Sequence, residues 1–150
     1  MAGLAVVGYF LLFYYMNKTT MLGPSVQLPS YLVYFGFMFW AAKPYGNAEF
    51  KDVLKVAFGV FVIANLFYYA FDFYLFNYMD KSLIDLQKDL MLDYFEGAAK
   101  SVEEASLRTQ NIQSGDYHSL KSLVFAYAKG TIGGFGMAIL VAYLVKKINE

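Results

Sequence analysis

Asp72 and Lys129 are the residues whose type and setting point to chemistry. Each is ionisable, and each lies inside a long apolar stretch, residues 53–79 and 120–145. In hydrocarbon an ionised side chain is costly, so it pairs, lines a pathway, or reaches back to the interface. Asp72 stands seven residues before Met79, and Lys129 nine after Leu120. Antiparallel helices would bring the two to similar depth, so a structural Asp72–Lys129 ion pair is expected, with a proton or cation relay as the functional alternative. Asn65 lies seven residues before Asp72 and shares its helix face. Asn77 lies near the outer end of the same stretch.

The other candidates are weaker. His118 is the single histidine, placed just before the last apolar stretch. With no second histidine, a surface or capping role is expected rather than metal or haem ligation. Asp85, Asp89 and Asp93 recur every fourth residue and predict a solvated acidic helix stripe, without the ligand geometry of a calcium loop. The chain has no cysteine, hence no thiolate chemistry. No nucleophile–base pair, phosphate loop or metal cluster is legible, so no catalytic residue, metal or cofactor is expected. The aromatic runs 67–69 and 71–78 could line a cofactor or quinone pocket, but aromatics at a membrane interface are more often anchors. Net charge is zero, from 12 basic and 12 acidic residues, which gives no basic face for nucleic acid.

The elements that must position these residues are greasy. Apolar residues make up 59% of the 150-residue chain and aromatics 20%, well above the roughly 45–50% apolar content of soluble domains. They come in blocks, at residues 2–16, 28–42, 53–79 and 120–145. The expected fold is all-α: a single integral membrane domain, a four-helix bundle with an amphipathic helical extramembrane loop (residues 80–119) between helices 3 and 4. The first block has 15 residues, about 22 Å of helix against a hydrocarbon layer of about 30 Å, so its span is drawn out to residues 2–22. It lacks the basic residues and cleavage site of a signal peptide and reads as a retained helix. Gly23, Pro24 and Pro29 predict a loop before the second span. Trp40 suits an interface, residues 43–47 a turn, and Asn47 a cap for the next helix, with Glu49 and Asp52 in its first turn.

In the polar loop, Leu83, Leu86, Leu90 and Tyr94 repeat at helical spacing, and Ser101 with Glu104 fits a capping box opening a second helix. Residues 114–116 read as a turn. The last stretch carries Ala126, Gly130, Gly134, Ala138 and Ala142, a small residue at every fourth position. Such a ladder lets another backbone approach closely, either a helix of the same chain or another subunit. Lys43, Lys51, Lys55, Lys146 and Lys147 mark the cytoplasmic side, with both termini, and place the loop 80–119 outside.

Three stretches taken together resemble a known family: the Phe-containing amphipathic opening of the third span (residues 48–59), the acidic helical loop, and a Gly-containing last span closing on Lys146-Lys147. They are similar to the small bacterial membrane proteins grouped as domain of unknown function 4199. That resemblance implies four spans in a bacterial inner membrane and transfers no activity. The expected role is a non-catalytic accessory or scaffolding subunit of a larger inner-membrane complex, with membrane lipid and other membrane subunits or itself as partners. The alternative is a small oligomeric transporter or channel using Asp72 and Lys129; a membrane enzyme ranks behind both.

Overall fold

The structure is a computed structural model and describes residues 1–96 and 102–149. Among these residues the regular structure is helical, with no strand. Helix α1 (Ala2–Met16) is apolar on all sides, although only Gly3, Val6 and Phe10 are buried. It does not run on to residue 22. Asn17 is extended (φ −163°, ψ 111°), and its side chain accepts the Thr20 N–H at 3.1 Å, capping a separate short helix, α2 (Lys18–Leu22). An asparagine favours such a cap over continuing a helix.

Helix α3 (Pro24–Ala42) begins four residues earlier than the sequence predicts, and Pro29 lies inside it. Pro24 sits at the helix start, where its missing N–H costs nothing. Pro29 follows within two turns, and the neighbouring Ser30 hydroxyl donates to the Gln27 carbonyl at 2.6 Å. After a 3₁₀ turn (Lys43–Tyr45), helix α4 (Phe50–Tyr74) starts with Glu49, not Asn47, at the cap position. Asp52 occupies its first turn, complementing the helix dipole. The helix then widens into a π-helical turn (Leu75–Met79), where the Asp80 N–H reaches back five residues to the Leu75 carbonyl at 2.8 Å. Helices α5 (Ser82–Glu96) and α6 (Val102–Ser114) form the polar excursion; Ser101, the expected cap of α6, lies outside the described residues. Helix α7 (Leu120–Ile148) is capped by the Ser119 side chain on the Ser122 N–H.

Helix α4 is central and touches α1, α3 and α7. The core between them includes Val6, Phe10, Tyr34, Met38, Val53, Ala57, Phe61, Ala138, Val141 and Ala142. The α4–α7 contact is close because Gly134 has no side chain: a Cβ there would lie 2.0 Å from the Phe61 ring. Gly3 makes a similar approach to Phe67, where a Cβ would lie 2.8 Å from that side chain.

The two ends differ. At one, Lys146 donates to the Gly46 and Ala48 carbonyls at 3.1 and 3.0 Å, tying the C-terminus to the turn after α3. Met1 and Leu4 border a hollow there with Phe37 and Trp40. At the other end, α5 packs on α2. Asp80 fastens that junction: it accepts from Tyr14 (3.0 Å), Lys18 and Ser82 (2.6 Å). Lys18 also lies over the Tyr14 ring at 5.3 Å. These donors, Lys18 first, pull the Asp80 carboxyl down from its ordinary 3.8 to about 2. A carboxyl depressed by folding adds stability above its ordinary value and loses it as pH falls towards the folded one. Acidifying from about pH 4 to pH 2 is therefore expected to weaken the wild-type fold by a step that Asp80→Asn lacks. Parallel melting curves would show it; identical acid profiles would remove Asp80 from the account.

Candidate functional site

The least ordinary residues meet where the polar excursion joins the helical core. Asp72 sits in the last turn of α4, 8% exposed, and accepts from His118 Nδ1 at Oδ2 over 2.8 Å. His118 is equally buried, and its Nε2 lies 2.6 Å from the Gln87 side-chain oxygen. Two oxygens facing two ring nitrogens are satisfied by an imidazolium balanced by the Asp72 carboxylate; with the Gln87 amide turned over, the neutral ring serves as well. The π-helical turn supplies two further contacts. Phe76 stacks on the imidazole, centroids 3.5 Å apart and planes within 5°. Asn77 donates to both the Phe73 carbonyl (2.9 Å) and the His118 carbonyl (2.8 Å). The site thus fastens three segments together: α4, α5 through Gln87, and the approach to α7 through His118.

A cavity of about 180 Å³ lies beside it, bordered by Gln27, Tyr68, Tyr69, Asp72, Gln87 and His118. It opens towards a larger groove of about 590 Å³ between the α2–α3 junction and α5, with which it shares Leu22, Gln27 and Gln87. On its inner side it shares Phe10, Gln27, Tyr68 and Tyr69 with a deeper cavity of about 160 Å³, bordered also by Ser30, Tyr34 and Asn65. Asn65 is 6% exposed, and its Nδ2 has no hydrogen-bond partner among the described residues. A buried amide left unpaired is rare enough to need a reason.

The family model described as protein of unknown function (DUF4199) matches residues 1–147. The chain belongs to that family. Comparison with the curated proteins returned no match, and comparison with the solved structures returned none.

In this DUF4199 member the expected site residues part company. Asp72 pairs with His118, not with Lys129. Lys129 is exposed and makes no ion pair among the described residues. The reason is helical phase. Lys129 stands nine residues from buried Ala138, half a turn away at 3.6 residues per turn, so it faces away from the packed stripe. The expectation that His118 lies at the surface is likewise corrected, since Asp72, Gln87 and Phe76 enclose it. A histidine two residues before an apolar helix, level with a buried acid in the helix beside it, is the signal that could have revealed the pair.

The small-residue ladder faces inward. Gly134, Ala138 and Ala142 are buried. A Cβ on Gly130 would lie 3.5 Å from Asn65 Nδ2 and from the Tyr69 hydroxyl, and Ala126 borders the Asp72 cavity. Helix α4 of the same chain therefore occupies the close-approach groove. Asp85, Asp89 and Asp93 are exposed, and no group of metal-binding side chains is present among the described residues.

Proposed function

We propose that this chain is a non-catalytic, multi-pass integral membrane protein of a bacterial inner membrane, acting as an accessory or scaffolding subunit of a larger assembly. One observation carries the membrane reading. Residues 50–79 and 120–148 are long and apolar enough to cross a bilayer, yet only 28% of the apolar window of each is buried inside the protein. The core helix of a soluble protein hides its apolar residues. Here Leu32, Ile63, Leu66, Phe125, Ile132 and Leu140 are all exposed, a surface that water would penalise and acyl chains would cover.

The accessory reading draws on the division of the molecule into two ends. One carries Lys43, Lys51, Lys55, Lys146 and Lys147; the other carries the acidic helical excursion. Positive-inside logic puts the first, with both termini, in the cytoplasm and α5–α6 in the periplasm, where the excursion would meet a partner. The transporter alternative loses its Lys129 element. A through-path in one chain would also have to cross Met38, Val53, Ala57, Ala138 and Val141, which are buried in the core.

The test combines fractionation with labelling. The protein is expected in the membrane pellet after detergent-free lysis, and with a partner in fixed ratio after mild solubilisation. Since the chain has no cysteine, Asp93→Cys and Lys147→Cys each create one label site. An impermeant maleimide is expected to reach position 93 from the periplasm and position 147 only after the inner membrane is opened. Recovery from the soluble fraction, or labelling of both positions from one side, would overturn the membrane placement. A lone, well-behaved protein in the solubilised membrane would overturn the accessory role.

A further inference from the structure

We propose that the cavity beside Asp72 is a binding site for a small organic ammonium ion, held by the carboxylate oxygen that His118 leaves free. This goes beyond the membrane role above and requires no partner subunit.

The anchor is a buried carboxylate with one oxygen unused. Asp72 Oδ2 takes the hydrogen bond from His118 Nδ1. Oδ1 has no hydrogen-bond partner among the described residues, and unlike Asn65 Nδ2 it is not closed off from open space. Of the Asp72 side chain 11% stays accessible, and the residue borders the cavity of about 180 Å³. No lysine or arginine borders that cavity. Lys18 is committed to Asp80, and Lys88 to the Gln113 carbonyl. With a neutral His118 ring, the Asp72 charge therefore has no counter-charge within the fold. A buried charge left so is costly, and an entering cation removes that cost.

The walls decide which cation. Phe10, Tyr68, Tyr69 and Phe71 border the cavity, and Tyr68 meets Tyr69 edge to face at 5.1 Å. Aromatic faces attract a desolvated cation, and they pack equally well against its carbon. Oxygens are sparse. Besides Asp72 Oδ1 there are the tyrosine hydroxyls and the Gln27 side-chain oxygen, whose amide nitrogen is spent on the Leu22 carbonyl at 3.2 Å. A hard metal ion gathers about six oxygens or more. An alkylammonium needs only a few acceptors and lays its carbon on the rings, so it fits this lining better.

The way in is the groove of about 590 Å³ between the α2–α3 junction and α5, which meets the cavity at Leu22, Gln27 and Gln87. Thr19, Thr20 and Ser25 line one of its walls, and Leu90, Met91 and Tyr94 the other. A longer carbon tail has room there. The ammonium recognised at Asp72 can thus belong to a free amine or to the ethanolamine headgroup of a lipid.

His118 is the single histidine, so isotope-labelled histidine gives one ring Cε1–H signal in the NMR spectrum, from the side chain bonded to Asp72. The probe is n-propylammonium chloride, titrated into purified, tag-free full-length protein in dodecylmaltoside micelles at about pH 8, where ordinary imidazole is neutral. The companions are n-propanol, the same chain without the charge, and sodium chloride, the same ionic strength without the chain. Propylammonium is expected to move the signal to a plateau, and the companions to leave it in place. Asp72→Asn keeps an oxygen for His118 but loses the charge. It is expected to bind propylammonium at least about tenfold more weakly, the worth of a charge-assisted hydrogen bond. Should Asp72→Asn fail to fold, Gln27→Met carries the test, because Gln27 is exposed and its replacement spares the core; several-fold weaker binding is expected. No plateau in wild type would mean the cavity holds water only and would overturn the proposal. The same shift with n-propanol or sodium chloride would do so too, as would unchanged affinity in the folded variant. Nanodiscs then assign the source. A signal already at the plateau in phosphatidylethanolamine, but not in phosphatidylglycerol, identifies the headgroup, and a signal at its starting position in both identifies a free amine.

Discussion

Gly134→Leu is expected to destabilise the folded protein strongly, while Leu140→Ala, six residues along the same helix, leaves it intact. The Gly134 backbone lies so near Phe61 that even the first carbon of a side chain would stand 2.0 Å from the ring. A leucine must push α7 off α4, the most extensive contact of the fold, and overpacking of this kind costs about 1–3 kcal/mol and sometimes more. Leu140 is 60% exposed and its truncation removes outward surface only, so a change within about 0.5 kcal/mol is expected. The comparison is read from unfolding titrations in dodecyl sulfate. A compensating pair sharpens it: Gly134→Ala should be destabilising alone and substantially repaired by Phe61→Leu, which withdraws the ring. If Gly134→Leu melts like wild type, close approach of α7 to α4 is not what holds these helices.

The second large effect concerns Asp72 and His118. Removing one member of a buried charged or hydrogen-bonded pair strands the other, at about 3–5 kcal/mol. Asp72→Leu and His118→Leu are each expected to destabilise by that order. The double variant should be distinctly milder than their sum, with a coupling of about 1–3 kcal/mol. Lys129→Met should be nearly silent and additive with Asp72→Leu. Strict additivity between positions 72 and 118 would show that the two side chains do not meet, and strong coupling between 72 and 129 would restore the pairing the sequence favoured.

The helices were readable because apolar blocks, caps and breakers act locally. The last apolar helix opens at Leu120 as the apolar block predicts, and residues 82–96 form the helix that the leucine spacing predicts, whereas Pro24, read as a breaker, starts α3. What was not readable depends on rotation and on distant contacts. The break at Asn17 comes from one side chain preferring to cap α2 over extending α1. Pro29 lies in the second turn of α3, past the first-turn positions where proline is free, so it forgoes one backbone hydrogen bond that the rest of the helix outweighs. The Asp72 partner was missed because depth along a helix is a one-dimensional count, whereas pairing also requires the correct face. Lys129 has the depth and not the face. His118 lies outside the apolar stretch, so counting within stretches could not reach it, and the π-helical turn that brings Phe76 and Asn77 to it has no pattern in sequence. The orphan amide of Asn65 is likewise a property of what surrounds it.

Trp40 has a consequence for how unfolding would be seen. It is the sole tryptophan, 70% exposed, and it sits beside Met1 and Leu4 at the end opposite α5 and α6. Indole emission therefore watches one pole of the molecule. Detachment of α5 and α6 would leave that light unchanged, whereas the tyrosines gathered near Asp72 would register it.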